Sequence, residues 1–336
     1  MKKIKSYLIQ FVLIVLFVFL FNSCRNNLEG PETEVVNSAE TASAALYIEQ
    51  EITECQSLVS TLVSRPAVEL SVLTESAEEE VVATSTPQPF TCDETEGSIV
   101  YKEIGTEVLQ YPFGFRVYLP PCFQQNPKTR YFSLYLLHGQ SFNDDQWERY
   151  GVKDVADKLI LNGDAPEFII VMPREDYYLQ DELTSNYQAA VSDVLVPWID
   201  NNFKTCPLRE CRAIGGISRG AGWAYRIGFT DWDLFSAIGL HSFAPLKGDF
   251  NNFPYWLQKI PEEQLPAIYM DIGSLDISLE AAESHEERLT KYHIPHQWHV
   301  KQGNHAEAYW QSNIEEYITW YTTNWLNNGN PYLVLD

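Results

Sequence analysis

Positive charge is scarce in this sequence. Its 336 residues include 23 Lys and Arg against 46 Asp and Glu, which gives a formal net charge of −23. Proteins that bind nucleic acids or anionic membrane surfaces use clusters of basic side chains, because those partners are themselves negative. The composition therefore predicts no nucleic-acid partner and no membrane contact through a basic surface. The sequence also shows no internal repeat.

Long apolar runs are scarce as well. Residues 7–21 form a largely apolar stretch of about 15 residues, whereas a transmembrane helix needs about 20. Lys2, Lys3 and Lys5 precede this stretch, as in the basic region of an export signal. We therefore predict a signal peptide over residues 1–23 and an exported protein.

The residues that follow the apolar stretch, from Phe21 to Cys24, resemble a bacterial lipobox, in which the cysteine is lipidated and becomes the first mature residue. On this interpretation Cys24 carries the lipid and supplies the only attachment to a membrane. Two alternatives stay open, namely cleavage without lipidation and retention of the apolar stretch as an anchor helix. The expected location is the cell surface, as a lipoprotein, or the medium, as a secreted protein.

Cysteine is infrequent, with six residues in the chain. If Cys24 carries lipid, an odd number remains for pairing. Export delivers a protein to an oxidising compartment, where nearby cysteines form disulfides. Cys206 and Cys211 are the first candidate pair because they are close in sequence, and Cys92 with Cys122 is the second. The sequence leaves the connectivity open.

Residues 24–97 differ in composition from the rest of the chain. They are rich in Glu, Ser, Thr and Val and contain very few basic residues. Such a segment buries too little apolar surface to fold alone and suits an acidic, solvated tether. Residues 42–63 contain enough apolar side chains for one helix. The folded domain is predicted to span residues 98–330.

Strand and helix patterns alternate within this domain. Residues 132–137 and 168–172 are nearly continuous apolar strands, which is typical of strands buried on both faces. Helices are predicted over residues 147–161 and 187–203. Further strands are predicted at residues 98–108, 114–119, 235–240, 267–272 and 297–301, and further helices at 278–292 and 306–325. This alternation predicts an α/β fold with a mainly parallel sheet covered by helices on both faces.

One short segment has the pattern of a reactive serine. Gly216-Ile217-Ser218-Arg219-Gly220 fits the G-x-S-x-G pattern, in which a serine sits on a strained turn between a strand and a helix. Side chains two positions to either side would collide with neighbouring backbone, so both positions are glycine. The amide of Arg219 lies at the start of the helix, where free N–H groups favour an oxyanion. Ser218 is the predicted nucleophile and Arg219 a predicted oxyanion-hole residue.

A serine hydroxyl needs a base, and the base needs a carboxylate that orients it. In this type of site the chain order is Ser, then Asp or Glu, then His. Asp276 follows the strand at residues 267–272 and is the predicted acid, with Asp271 within the strand as the alternative. His305 opens the last helix and is the predicted base.

The second oxyanion donor is expected in the loop after the strand at residues 132–137. This loop begins His138-Gly139-Gln140, and the backbone amide of Gln140 is the predicted donor. His138 is expected to brace the loop through hydrogen bonds rather than to act as a base.

Other histidines suggest a metal less well. His293, His296 and His299 recur at intervals of three, but Pro295 interrupts them and they span a turn and a strand rather than one helical face. We therefore predict no metal site and no cofactor.

Aromatic residues near these loops are candidates to line a cleft for a sugar or a phenolic acyl group. The predicted substrate-binding residues are Trp147, Trp223, Tyr309 and Trp310. The alternative for them is packing in the core or at its rim, especially for Trp223 and Trp310.

Four segments together carry a family resemblance. They are, in chain order, residues 136–139, residues 215–220, the Asp276 loop, and residues 303–305 with Tyr309 and Trp310 after them. In this order they resemble the esterase D-like family of α/β-hydrolases, which includes feruloyl and acetyl-xylan esterases, S-formylglutathione hydrolases and enterochelin esterases. The resemblance covers about residues 101–325.

The resemblance implies an α/β-hydrolase fold and a serine esterase that works through Ser218, Asp276 and His305, with an acyl-enzyme intermediate. It also implies an oxyanion hole made by the amides of Gln140 and Arg219, although relatives often have more glycine where this chain has Gln140. The expected substrate is a small-molecule or polysaccharide-linked ester, such as an acyl or feruloyl ester of a carbohydrate. An acyltransferase on the same fold and a non-catalytic surface-binding lipoprotein are the alternatives.

Overall fold

The computed structural model of this chain describes residues 93–123, 125, 130–176 and 180–327. The predicted signal peptide, Cys24 and nearly all of the predicted tether lie outside these residues. Among the described helices, none combines the length and the apolar character that crossing a bilayer requires.

An eight-stranded sheet forms the centre of the described region. Its strands are β1 (Ser98–Ile104), β2 (Phe113–Leu119), β3 (Phe132–Leu137), β4 (Phe168–Pro173), β5 (Arg212–Ile217), β6 (Ala237–His241), β7 (Ala267–Gly273) and β8 (Gln297–Lys301). Their order across the sheet is β1-β2-β4-β3-β5-β6-β7-β8. β1 pairs antiparallel with β2 and β2 antiparallel with β4, while all other neighbours are parallel.

The helices cover both faces of this sheet. They are α1 (Gln146–Arg149), α2 (Val152–Leu161), α3 (Tyr187–Ala189), α4 (Val196–Asn202), α5 (Arg219–Thr230), α6 (Asp249–Leu257), α7 (Leu279–Lys291) and α8 (Glu307–Asn327). Successive residues of β3 show the two layers. Leu134 and Leu136 pack in the core that contains α8, while Tyr135 and Leu137 pack in the core that contains α5. Since alternate side chains of a strand point to opposite faces, one apolar core lies on each side.

The central strands are apolar throughout because both of their faces are covered. Every residue of β3, β4, β5 and β6 is buried, whereas every residue of the edge strand β8 is partly or fully exposed. Strands β3 to β8 run parallel to one another, so their carboxyl ends meet at one edge of the sheet. An open α/β sheet binds its ligands at this edge. This is the α/β-hydrolase arrangement that the resemblance implied, and the predicted fold class is confirmed.

Two predicted helices differ in detail from the structure. The helix predicted at residues 147–161 is divided into α1 and α2, because Gly151 between them has a left-handed backbone with φ of 87°. The helix predicted at residues 187–203 contains a π-helical segment, Ala190–Leu195, between α3 and α4. There the amide of Val196 bonds to the carbonyl of Val191, five residues back.

The remaining differences from the predicted elements involve two prolines and the end of one strand. Pro197, which has no N–H to continue a regular helical ladder, is the second residue of α4 and lies two positions after the π-helical segment. Helix α6 was not predicted, since Pro254 lies inside it and its sequence carries no strong helix signal. Strand β1 ends at Ile104, four residues before the predicted end.

The short-range disulfide prediction is confirmed. Cys206 and Cys211 form a disulfide that closes the loop leading into β5. Both cysteines are fully buried and pack in the core that also contains α8. The second candidate pair cannot be compared, because Cys92 lies outside the described residues.

Candidate active site

Ser218 lies on a strained turn between β5 and α5. Its backbone has φ of 55° and ψ of −115°, a conformation that a residue with a Cβ rarely adopts. A Cβ on Gly216 would lie 2.3 Å from the carbonyl carbon of Gly220, and one on Gly220 would lie 2.3 Å from the carbonyl oxygen of Leu137. The two glycines are thus required by backbone contacts, and they allow the turn to present the serine above the sheet.

A row of hydrogen bonds connects Ser218 to His305 and His305 to Asp276. Its Oγ lies 2.9 Å from Nε2 of His305, and Nδ1 of His305 lies 2.8 and 2.9 Å from the two carboxylate oxygens of Asp276. An ionised carboxylate only accepts hydrogen bonds, so Nδ1 carries the proton. The lone pair of Nε2 therefore faces the serine hydroxyl, which is the arrangement a base needs to remove its proton.

Each of the three side chains comes from the end of a different parallel strand. Ser218 follows β5, Asp276 lies in the turn after β7, and His305 lies between β8 and α8. The side chain of Asp276 is buried, while His305 is about one-fifth exposed. The acid is thus shielded from water and the base stays accessible at the mouth of the site.

Asp276 remains ionised despite its burial. Burial acts to raise the pKa of this carboxyl, but hydrogen bonds from His305, the backbone amide of Ser278 and the hydroxyl of Ser242 outweigh it and hold the pKa below its usual value. A charged Asp276 fixes the ring of His305 and stabilises the imidazolium that forms when the ring takes a proton.

Ser242 contacts the carboxylate of Asp276, and Trp310 packs against the ring of His305. Ser242 follows β6 with a left-handed backbone, φ of 50°, and its Oγ accepts a hydrogen bond of 2.8 Å from the indole of Trp310. The Trp310 ring stands nearly perpendicular to His305, with ring centres 5.1 Å apart. Trp310 thereby limits the rotation of the imidazole, and Ser242 connects it to Asp276.

The loop after β3 is braced by buried hydrogen bonds. Nδ1 of His138 donates to the carbonyl of Gly139 at 2.9 Å, and Nε2 accepts from the amide of Glu175 at 2.8 Å. The amide of Gly139 donates to the side chain of Gln146 at 2.7 Å. Burial lowers the pKa of His138, so its ring is neutral and both nitrogens are used. The prediction that His138 braces the loop is confirmed.

The amides of Gln140 and Arg219 lie in the two segments that meet beside Ser218. Within the described part of the chain, neither amide donates a hydrogen bond to another protein group. The segments touch, because Gly220 packs against the backbone carbonyls of Leu137 and His138. Two free donors beside a serine turn are what an oxyanion hole consists of.

The four aromatic residues predicted to contact substrate are buried, which is a correction. Trp147 is fully buried and its indole donates to the carbonyl of Leu137 at 3.1 Å, while Trp223 is 1% exposed and packs in the core beside α5. Tyr309 is 5% exposed and Trp310 is 3% exposed. Their indole and ring surfaces fill the core and support the site loops, so they offer no cleft surface to a substrate.

Asp271, the alternative acid, has a different task. Its Oδ1 lies 2.7 Å from Nδ1 of His241, and its Oδ2 accepts hydrogen bonds of 2.7 Å from both Tyr309 and Tyr317. All of these groups are buried. With both oxygens bonded within this buried network, Asp271 does not contact His305.

The three spaced histidines are separated in the structure. His296 bonds to the carbonyl of Ile294 and to Glu286, and His299 packs its ring against Tyr269 at 5.0 Å. Among the residues that the structure describes, no group of three His, Cys, Asp or Glu side chains is arranged to hold a metal ion.

Two features near the triad were not predicted. Leu275 and Ile277 flank Asp276 in the chain and are 75% and 88% exposed, so the turn that carries this carboxylate also carries exposed apolar side chains, here called the apolar rim. Glu175, two residues after β4, forms a buried ion pair with Arg219. The apolar pair stood next to a predicted acid and could have been noticed there, whereas nothing in the sequence connects Glu175 to residue 219.

The chain is similar to known esterases in sequence. It is 27% identical over 192 residues to Esterase MT1326 of Mycobacterium tuberculosis, covering 54% of this chain and 39% of that protein. It is 31% identical over 139 residues to an endo-1,4-beta-xylanase/feruloyl esterase of Xylanibacter ruminicola, covering 38% of this chain and 19% of that protein. The match thus spans well under half the length of either relative.

A solved structure and a family model extend the comparison. The fold matches that of a ferulic acid esterase with a TM-score of 0.61 and 27% sequence identity, covering 68% of this chain and 99% of the other. The model of the family described as "Putative esterase" matches residues 106–321, which include Ser218, Asp276 and His305. On this match, over more than half its length, the chain belongs to the Putative esterase family.

Proposed function

We propose that this protein is a serine carboxylic-ester hydrolase, and that Ser218, His305 and Asp276 form its catalytic triad. The observation that carries the proposal is the continuous row of contacts, 2.9 Å from Ser218 to His305 and 2.8 Å from His305 to Asp276. Membership of an esterase family supports it independently.

The proposed reaction starts when Oγ of Ser218 attacks the ester carbonyl while Nε2 of His305 removes its proton. The tetrahedral intermediate collapses as His305 returns the proton to the leaving alcohol, which leaves an acyl-enzyme. His305 then takes a proton from water, whose oxygen attacks the acyl carbonyl. The second tetrahedral intermediate collapses as His305 returns this proton to Oγ of Ser218, which releases the acid and restores the free serine. Asp276 stays ionised throughout and stabilises the imidazolium.

The negative oxygen of each tetrahedral intermediate would be bound by the amides of Gln140 and Arg219. Both donors are backbone groups held by buried contacts, so they need no rearrangement when charge develops. The loss of one such donor typically costs about 10²–10³ in rate.

For the substrate we propose an ester with an apolar or aromatic acyl group, such as a feruloyl or short acyl ester of a carbohydrate. Two observations support this class. The similar proteins include a feruloyl esterase and a ferulic acid esterase. The exposed side chains of Leu275 and Ile277 lie on either side of the proposed acid and offer apolar surface at the site.

Export completes the proposal. The basic and apolar pattern of residues 1–23, the lipobox-like Cys24 and the disulfide of Cys206 with Cys211 suit an exported, lipid-anchored enzyme. Radiolabelled palmitate should enter the wild-type protein in its host and should not enter a Cys24→Ala variant. Equal labelling of both would refute the lipid anchor without affecting the esterase assignment.

The central test is Ser218→Ala. We expect nitrophenyl acetate hydrolysis to fall by at least 10³-fold and labelling by a fluorophosphonate to disappear, because both require the serine oxygen. Ser236→Ala is the matched control, since its buried hydroxyl bonds to the carbonyl of Arg212 at the opposite end of the sheet. Undiminished hydrolysis by Ser218→Ala would refute the proposed function.

Substrate preference is tested at the apolar rim. Leu275→Ser and Ile277→Ser should raise KM for a methyl hydroxycinnamate ester by about three- to tenfold and leave KM for an acetyl ester nearly unchanged. Leu326→Ser is the control, because Leu326 is also exposed but lies at the far end of α8. Equal changes for both esters would argue against a rim that contacts the acyl group.

A further inference from the structure

Glu175 contacts both segments that would supply the oxyanion donors. Its carboxylate binds the guanidinium of Arg219 through two parallel contacts, Oε2 to Nε at 2.8 Å and Oε1 to Nη2 at 2.7 Å. Its backbone amide donates to Nε2 of His138 at 2.8 Å. Glu175, Arg219 and His138 are all more than nine-tenths buried.

We infer that Glu175 is a positioning residue that holds the two oxyanion donors in one fixed arrangement beside Ser218. The inference rests on the proposed esterase function and adds a residue that does not touch substrate. Each of its two branches can be followed from Glu175 to one donor amide.

The first branch runs through Arg219. This residue is the first of α5 and directly follows the strained Ser218. A bidentate contact between a guanidinium and a carboxylate restricts the arginine side chain more than a single hydrogen bond does. Anchoring the side chain of Arg219 to the end of β4 therefore fixes the peptide that joins Ser218 to Arg219, and with it the direction of the Arg219 amide.

The second branch runs through His138. The ring is held as one tautomer, because Nε2 accepts from Glu175 and Nδ1 donates to the carbonyl of Gly139. That carbonyl and the amide of Gln140 belong to the same planar peptide unit. Fixing the carbonyl of Gly139 therefore fixes the direction in which the Gln140 amide points.

Arg219 also contacts Glu182, and this contact argues against a role for Arg219 in attracting an anionic substrate. Nη1 binds Oε1 of Glu182 at 2.6 Å, so each nitrogen of the guanidinium faces a carboxylate. A cation with two carboxylate partners is not available to attract an anionic substrate. A buried ion pair such as Glu175–Arg219 adds little stability compared with apolar packing. Its contribution is therefore to position the groups that it joins.

The test is Glu175→Gln, which keeps the size of the side chain but removes the charge. It therefore weakens the branch through Arg219 and keeps the backbone amide that binds His138. We expect kcat for nitrophenyl acetate to fall by at least tenfold while KM stays within about twofold. Affinity for a trifluoromethyl ketone, whose adduct carries an oxyanion, should fall by the same factor as kcat/KM, because both depend on the donors. A purely structural role would not make these two quantities change together.

Asp200→Asn is the matched control. Asp200 is partly exposed and forms an ion pair with the buried Arg212 at the opposite end of β5 from Ser218, so its loss perturbs the fold but not the donors. We expect this variant to lose thermal stability and to keep wild-type kcat and ketone affinity.

Arg219→Lys provides a second variant in case Glu175→Gln does not fold. Lysine keeps the charge and the backbone amide but cannot make the bidentate contact with Glu175. We expect the same fall in kcat and ketone affinity with KM nearly unchanged. Wild-type kcat and ketone affinity in a folded Glu175→Gln or Arg219→Lys protein would overturn the inference. Ser218→Ala, measured in the same assay, decides separately whether the esterase proposal stands.

Discussion

The molecule contains two Asp–His pairs that are nearly identical in their local contacts. Nδ1 of His305 lies 2.8 Å from Asp276, and Nδ1 of His241 lies 2.7 Å from Asp271. The two aspartates are five residues apart, one in β7 and one in the turn that follows it. Both pairs fix the tautomer of their histidine, so the pair alone does not identify the catalytic one.

The second ring nitrogen distinguishes them. Nε2 of His305 faces the hydroxyl of Ser218 at 2.9 Å and the ring is partly exposed. Nε2 of His241 accepts from the hydroxyl of Tyr321 at 3.1 Å, and its ring stacks on Tyr317 with centres 3.6 Å apart. A histidine enclosed by tyrosines cannot exchange protons with a substrate, whereas one that faces an accessible serine can.

Asp276→Asn should have the largest effect on activity. An amide at this position disrupts the tautomer that His305 needs, and the equivalent change in a serine protease lowers kcat by about 10⁴. We expect a loss of at least 10³ in kcat for nitrophenyl acetate. A loss below tenfold would mean that Asp276 is not the orienting acid.

Asp271→Asn should instead reduce stability. Its carboxylate accepts three hydrogen bonds from buried groups, and an amide cannot accept all of them. We expect a loss of about 2–4 kcal/mol in the free energy of unfolding, measured by urea denaturation. The kcat of the folded fraction should stay within about threefold of wild type, and a fall comparable to that of Asp276→Asn would erase the distinction between the two pairs.

A third histidine extends the comparison, because among the described residues His285 has no carboxylate partner. It is fully buried among aromatic rings, including Tyr225 and Phe250, and neither ring nitrogen has a hydrogen-bond partner within the described residues. Burial, with smaller contributions from Arg288 and His296, lowers the pKa of His285 to about 3. Its ring is therefore neutral in the folded protein.

The pH dependence of stability should report this. Unfolding frees the ring to take a proton at its ordinary pKa of about 6.5, so the unfolded state binds more protons and stability falls as pH drops below that value. His285→Phe should remove about 2 kcal/mol of the stability lost between pH 7 and pH 5, measured by urea denaturation at both values. An unchanged pH dependence would show that His285 is not held neutral.

Tyr321→Phe should have the smallest effect. It leaves Nε2 of His241 as a buried acceptor without its partner, which should cost about 1 kcal/mol in the free energy of unfolding. The kcat for nitrophenyl acetate should not change, because, of the two pairs, Tyr321 bonds to the enclosed one, through His241. A reduced kcat would show that the two Asp–His pairs are coupled.

The sequence allowed the reactive turn and the fold class to be predicted, because both follow from short-range rules. Gly216 is required by contacts within the turn itself, although Gly220 is also required by the distant carbonyls of Leu137 and His138. The apolar strands follow from burial on both faces. The order of serine, acid and histidine then indicated which side chains the sheet would bring together. Their catalytic roles stay predictions until the variants are measured.

Long-range contacts could not be predicted in the same way. Glu175 meets Arg219 only because β4 and β5 lie on either side of β3, and no local pattern reports that order. Trp147 and Trp223 were expected at the cleft since they are near the motifs, but nearness in sequence does not determine which face of a helix a residue occupies. The exposed pair at the site, Leu275 and Ile277, is aliphatic rather than aromatic.

The glycine at position 220 limits how such an enzyme can be altered. Its Cα approaches the carbonyls of Leu137 and His138 so closely that any side chain there would displace the serine turn and the donor loop at once. The serine turn and the donor loop therefore have to be kept together when the sequence is changed. Libraries aimed at new esters should leave these segments and Asp276 untouched and diversify Leu275 and Ile277, whose side chains already project into water.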